Sequence, residues 1–304
     1  MCGAVGAAYR HAMSDTVVDA HLHVWKPDAV HYPWLAGQHT PLARPFLLPD
    51  VTPDLDQQGV HRVVLVQSAD NRADCELLLL QALSSPRVAG VVAWVPLTST
   101  PDAAALLDAW RREPVVGVTH RVQDEADPQW LLRPDVHDGL RLLAERGLTF
   151  DVPAHTPQLL RQVVELADRH PDLTIVVGHL GMPPLATLRA GEHRDWERWS
   201  SLIGDVAAAP HVVAKLTGLP QAAGPGWDAA HLRPAVERAL TAFGPSRLML
   251  GSDWPTSLLG ADSYATAWSA LVGTLDEVGS DGRAAVLGGT ADRVYGLVRA
   301  TSAL

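Results

Sequence analysis

The sequence predicts an α/β protein folded as a single (β/α)8 barrel, and three observations carry that expectation. Short β-branched runs alternate from end to end with longer apolar-periodic segments, as βα units around a parallel sheet require. Eight such runs can be counted, the number that closes a barrel. No linker-like stretch interrupts the pattern across 304 residues, 47 % of them hydrophobic, so one large core is expected rather than two domains.

The strands read at 17–23, 61–68, 90–97, 116–122, 149–153, 173–180, 212–218 and 248–255. Helical periodicity falls between them at 75–83, 103–111, 136–146, 158–169, 196–208 and 232–243. Thr52-Pro53, Thr100-Pro101 and Thr156-Pro157 each read as a hydroxyl cap followed by proline at the first helical position. After the eighth strand, 263–278 and 283–297 read as two closing helices around the turn Gly279-Ser280-Asp281-Gly282. Residues 1–15 are small and weakly apolar and are broken by Tyr9-Arg10-His11. They read as a disordered N-terminal extension, with one catalytic domain over 16–304.

Composition excludes several classes of function. A formal charge of −10 argues against binding nucleic acid through a basic surface. No run approaches the roughly 18 apolar residues of a spanning helix, so no membrane partner is expected. Cys2 and Cys75 are too few for a disulfide framework or a thiolate zinc site, and suit a reducing cytoplasm. No GxGxxG follows a strand, which weakens a dinucleotide-binding reading. A homodimer is the default assembly, from the frequency of two-fold oligomers alone.

Barrel enzymes place their chemistry at the C-terminal ends of strands. Those ends carry His21 and His23, Gln67 and Ser68, His120 and Arg121, Asp151 with His155 just beyond, His179, Lys215 and Asp253. Residues two apart on a strand share a face, so His21 and His23 are expected to project together beside Asp19. With His179 and Asp253 they make a set that can hold one divalent ion such as Zn2+, or polarise a carbonyl without one. Asp253, in Gly251-Ser252-Asp253-Trp254-Pro255, suits a general base that returns its proton as acid, with Gly251 allowing a close backbone approach. Lys215 is one of only two lysines and lies in an apolar strand; it reads either as a substrate anchor or as half of a structural ion pair with a barrel carboxylate. Arg121 suits bidentate binding of oxygens, and His155 and Gln67 are further contacts for a small-molecule substrate. Trp25, Trp34, Trp94 and Trp254 are candidate pocket walls. His61, His137, His170, His193 and His231 read as solvated.

Five ordered cassettes, Asp19-Ala20-His21-Leu22-His23-Val24-Trp25, Val64-Leu65-Val66-Gln67, Gly178-His179-Leu180-Gly181-Met182-Pro183, Lys215-Leu216-Thr217-Gly218-Leu219 and the Asp253 cassette, resemble the amidohydrolase-related family (amidohydrolase 2) over about residues 16–298. Within it the chain resembles the branch of sugar lactonases and 2-pyrone-4,6-dicarboxylate lactonases. The resemblance implies a (β/α)8 TIM barrel of the amidohydrolase type that opens a cyclic ester by water attack. His21, His23, His179 and Asp253 match the family's active-site positions. Gln67, Arg121 and Lys215 fall where members contact substrate, and His120, His155, Trp25 and Trp254 are further candidate substrate contacts read from their own positions. No lysine stands on the fourth strand to bridge two metals, and the branch works both with and without a divalent ion. Two departures are visible: Gly178 replaces the aspartate that usually precedes the histidine, and Pro220-Gln221-Ala222-Ala223 replaces a usual Thr-Glu pair. The alternatives are a nonoxidative decarboxylase of aromatic acids, which the same superfamily contains, and a noncatalytic binding barrel.

Overall fold

In the computed structural model, which describes residues 16–35 and 40–297, eight parallel strands follow one another around a single sheet in the order β1 to β8. They are β1 Val18–Leu22, β2 Arg62–Val66, β3 Val88–Ala93, β4 Val115–Thr119, β5 Thr149–Val152, β6 Ile175–Val177, β7 Val212–Leu216 and β8 Leu248–Leu250. The ring closes where Leu22 bridges Trp254, with the His23 amide donating to the Trp254 carbonyl at 2.7 Å and the Asp253 amide to the His21 carbonyl at 2.9 Å. The expected extension at 1–15 lies outside the described residues.

β-branched side chains dominate the strands because both faces are covered. Val18, Ala20, Val64, Val66, Val92, Val176, Val213 and Met249 form the inner cluster, joined by Tyr295 and Leu297 from the end of the chain. The alternate residues, such as Val63, Leu65, Phe150, Val152, Ile175, Val177 and Leu216, pack outward under the helices. Burying each such side chain contributes about 1.5–3 kcal/mol.

Helix starts correct two sequence expectations. Thr52-Pro53 does not open a helix: Leu48–Gln57 begins earlier, with Pro49 in its first turn and Asp50 accepting from the Leu47 amide, and Thr52 Oγ1 donates back to Leu48 O at 2.8 Å. In helix Thr100–Ala109 the N-cap position falls one residue earlier, at Ser99, whose hydroxyl donates to Asp102 Oδ2 at 2.6 Å instead of accepting from a backbone amide. Thr156 does cap Pro157–Arg169, accepting from the Leu159 amide at 3.2 Å. Of the closing helices, the first is Tyr264–Gly273, capped by Ser263. The second starts at Ser280, inside the expected turn, and runs through a π-helical turn at Ala285–Gly289 into Thr290–Val294. Gly288 sits where a Cβ would lie 2.0 Å from Thr16 O, so the closing helix can press on the entry to β1 only at a glycine.

His137 and His170 are not solvated. Both are buried, their Nδ1 and Nε2 lie 2.7 Å apart, and Arg169 Nη1 donates to His137 Nε2 at 3.0 Å. His137 lies on the helix Pro134–Glu145, and what buries it is the end of the neighbouring helix Pro157–Arg169, which no local pattern reports.

Candidate active site

The site is set by a bulge in β1. Its register with β2 pairs Asp19 with Val63 but Leu22 with Leu65, one residue more on β1 than on β2. The expectation that Asp19 accompanies the histidines therefore fails. Asp19 instead accepts from the His21 amide at 3.1 Å, the Ser252 amide at 2.9 Å and Tyr264 Oη at 3.2 Å, tying β1 to the segment after β8. Burial pushes its carboxyl up to about 6 although the bonds from Ser252, His21 and Tyr264 pull the other way.

His21 and His23 do converge, with Nε2 atoms 3.1 Å apart. Asp253 Oδ1 lies 3.4 Å from His23 Nε2 and 3.7 Å from His21 Nε2. Gly251 permits this meeting as expected, since a Cβ there would lie 2.6 Å from His21 Cβ and 2.8 Å from its amide nitrogen. The ring of His23 is fixed by its Nδ1–H, which donates to Val66 O at 2.8 Å and leaves Nε2 as a lone pair facing the cluster. His21 Nδ1 faces Lys215 Nζ at 3.3 Å.

Donor atoms at such spacings match a divalent ion, because ligands about 2.0–2.1 Å from a tetrahedral metal lie roughly 3.4 Å from one another. Among the described residues the group able to hold a metal is His21, His23 and Asp253. His179, which the sequence placed in the same ligand set, stands beside it with its ring 5.0 Å from that of His21 and 5.2 Å from that of His155.

Two of the four central residues occupy left-handed backbone, His179 at φ 54° and Asp253 at φ 59°, and Leu180 and Met182 share that conformation. Non-glycine residues are held there only when their surroundings over-determine them, as happens at functional sites. Gly178 offers His179 no side-chain partner, and Thr217 supplies one: Thr217 Oγ1 accepts from the His179 amide at 3.2 Å and lies 2.8 Å from its Nδ1. Gly218 clears the way, as a Cβ there would lie 2.8 Å from His179 Nδ1. Thr217 stands two residues after Lys215, and nothing local in the sequence marks its role. Thr217→Val should release the ring and lower kcat/KM by about 10-fold or more without unfolding the protein. An unchanged value would remove Thr217 from the site.

Electrostatics sort the groups. Burial and then the neighbouring Lys215 and His23 hold His21 well below the ordinary imidazole value. Burial likewise lowers His179, against the pull of Asp253, and brings His155 down to about 4. Burial would raise Asp253, but His179, His23 and His155 outweigh it and its carboxyl sits below the usual value. At neutral pH His21, His155 and His179 are thus neutral imidazoles beside a carboxylate. In metal-free protein the His155 ring should titrate near pH 4, losing its neutral form only as the pH falls through that value. Following its ring-proton NMR shifts from pH 8 to 3.5 checks this, and a midpoint near 6.5 would refute it.

A cavity of about 210 Å3 opens above these residues, lined also by Gln67, Thr119, Arg121, Gln123, Met182, Gln221 and Thr256. It suits a single small ring. Arg121 has its Nε held by Asp124 at 2.6 Å. Trp25 and Trp34 line an adjoining cavity with Ser68, Arg121 and His155.

Other expected contacts lie elsewhere. His120 is stacked on Trp130 at 3.9 Å, bonds Glu125 Oε1 at 2.7 Å and takes the Trp94 indole N–H, and it is not among the residues lining the cavity. Trp254 is buried against Phe46. Lys215 is 0 % exposed beneath His21, 2.8 Å from Asp151 Oδ2, which corrects its reading as a substrate anchor in favour of a structural ion pair. Asp151 also accepts from Thr149 Oγ1 at 2.9 Å and Tyr295 Oη at 2.6 Å. Cys75 is buried with its thiol pushed up to about 12 by that burial, which leaves it inert.

Fold and site together define a (β/α)8 hydrolase that gathers histidines and a carboxylate at the mouth of its barrel. The chain belongs to the amidohydrolase family, whose model, described as Amidohydrolase, matches residues 18–297. It is 36 % identical to an L-fucono-1,5-lactonase of Burkholderia ambifaria over 93 % of this chain and 96 % of that one. It is 33 % identical to an L-fucono-1,5-lactonase of Burkholderia multivorans over 92 % and 96 %. A crystal structure of an amidohydrolase from Burkholderia multivorans with bound zinc superposes with a TM-score of 0.85 at 33 % identity, covering 93 % of this chain and 100 % of that one. No helix among the described residues is long and apolar enough to cross a membrane.

Proposed function

We propose that this chain is a lactonase that opens a sugar aldonolactone by attack of water, with Asp253 as general base and then acid. The observation that carries the reading is the meeting of the Asp253 carboxylate with the imidazoles of His21 and His23 in a ring-sized cavity. The named activity of the Burkholderia relatives supports it.

Asp253 is held for the task. Gln221 Nε2 donates to its Oδ2 at 3.0 Å, leaving Oδ1 towards the histidine pair. A water placed against Asp253 gives up its proton to the carboxylate as its oxygen bonds to the lactone carbonyl carbon. The proton then passes to the ring oxygen as the ring C–O bond breaks, yielding a hydroxy acid. We assign His179 as the donor to the carbonyl oxygen: Thr217 Oγ1, already accepting from the backbone, gives its own proton to Nδ1 and leaves the ring proton on Nε2. His21, His23 and Asp253 would hold one divalent ion, zinc by the donor types, and the bound ion would take the place of any proton on His21 Nε2. Such an ion would supply Lewis-acid polarisation and a more acidic water.

The test is acid release, read with a pH indicator, from a panel of aldonolactones and pyrone carboxylates, after chelation and again with added zinc. Acid release in either condition supports the reading. Silence in both, with carbon dioxide released from aromatic acids, would replace it with decarboxylation.

A further inference from the structure

Four consecutive residues after β6 run in left-handed backbone: His179 at φ 54° and ψ 29°, Leu180 at φ 49° and ψ 27°, Gly181 at φ 67°, and Met182 at φ 53° and ψ 74°. Residues with a side chain visit this region singly, because Cβ is pressed against the following carbonyl oxygen, and in this run Gly181 alone escapes that cost. Such a run must be held by its surroundings. The Met182 amide closes the turn on His179 O at 2.8 Å, and Thr217 Oγ1 takes the His179 amide. The carbonyl of Leu180 is met from further away.

Trp199, 2 % exposed on the helix Arg194–Ala207, donates from Nε1 to Leu180 O at 2.8 Å, and Leu180 is itself wholly buried. An indole N–H only donates, so the sense of the bond is fixed. The direction of that carbonyl follows from ψ of Leu180 and φ of Gly181. A donor standing on a separate helix therefore selects the left-handed turn, since relaxing it would leave a buried carbonyl oxygen without its partner. His179 and Met182, at the two ends of the turn, both line the cavity.

We propose that Trp199 is a positioning residue, which through Leu180 O keeps the turn at 179–182 in the left-handed conformation that presents the His179 ring to the reacting centre. Its effect on rate rests on the lactonase reading and on the part given there to His179; its effect on the turn does not. Thr217 fixes the rotation of the ring, and Trp199 fixes the backbone that carries it.

Two variants separate the N–H from the bulk of the side chain. Trp199→Phe keeps a large aromatic ring without a donor. Trp199→His lacks the second ring but can place Nε2–H where the indole has Nε1–H, because the two five-membered rings superpose. Trp199→Phe should lower kcat about 10-fold or more and leave KM within about twofold of native, as expected when a group that acts in the transition state is misplaced. In that variant the Met182 amide should exchange with solvent about 10-fold faster or more, and the ring-proton NMR shifts of His179 should move. Trp199→His should stay near native in every readout. Impairment of Trp199→His as great as that of Trp199→Phe, or a Trp199→Phe protein equal to native, would mean that Trp199 only fills space and would overturn the proposal. If Trp199→Phe fails to fold, Trp199→His decides alone: native exchange and ring shifts uphold the proposal, and altered ones overturn it. Neither of those readouts needs substrate, so a native protein that hydrolyses no lactone would sink the lactonase reading and leave this test intact.

Discussion

Lys215→Met is expected to destabilise the protein by about 3–5 kcal/mol, the cost of leaving a buried carboxylate without its counter-charge. Lys215 is wholly buried, its Nζ lies 2.8 Å from Asp151 Oδ2, and among the described residues this is the ion pair with both partners on barrel strands. Methionine fills the space of the lysine stem but leaves Asp151 with only the hydroxyls of Thr149 and Tyr295. A double replacement, Lys215→Met with Asp151→Leu, should recover much of the loss, because apolar pairs of similar volume commonly replace buried ion pairs at little cost. Urea unfolding of the three proteins checks both statements. A loss below about 1 kcal/mol in the single variant would mean that the pair is not the support described. His21 loses a neighbour in the same variant, so kcat should fall as well, and KM should move little, since Lys215 does not line the cavity.

Asp253→Asn should lower kcat by about a thousandfold or more while leaving the unfolding curve within 1 kcal/mol of native. Asparagine keeps the size of the side chain and can still meet Gln221, but it cannot take a proton from water at neutral pH. It also weakens any ion held by His21 and His23, so the variant should be assayed with zinc in excess. Retention of near-native kcat would sink the assignment of the base. Loss of stability comparable to that in Lys215→Met would place Asp253 among the structural carboxylates with Asp19 and Asp151.

Strand order and the positions of His21, His23, His179 and Asp253 were legible because barrel strands carry two local signals, continuous apolar runs and polar residues at their C-terminal ends. Asp19 was misplaced because a bulge breaks the two-residue alternation, and a bulge is defined by the partner strand. Thr217 and Gln221 were unmarked for the same reason. Each acts on a residue distant in sequence, and a threonine or glutamine carries no charge pattern to announce it. Lys215 was noticed for the right physical reason, the cost of burying an ammonium, but only the fold could say whether substrate or Asp151 met it. The buried His137–His170 pair was read as solvated because its burial comes from helix packing alone.

The hydroxyl of Tyr295, just past the helix Thr290–Val294, reaches Asp151 on β5, which holds Lys215 on β7, which meets His21 on β1. Four distant stretches are wired in series, and the last of them leaves the ribosome after the other three. A nascent chain that has already made both histidines and Asp253 still lacks the prop beneath them. The barrel therefore acquires its working geometry only after all eight strands are made, and a fragment ending short of Tyr295 would carry every reacting group yet leave the floor of its site unfinished.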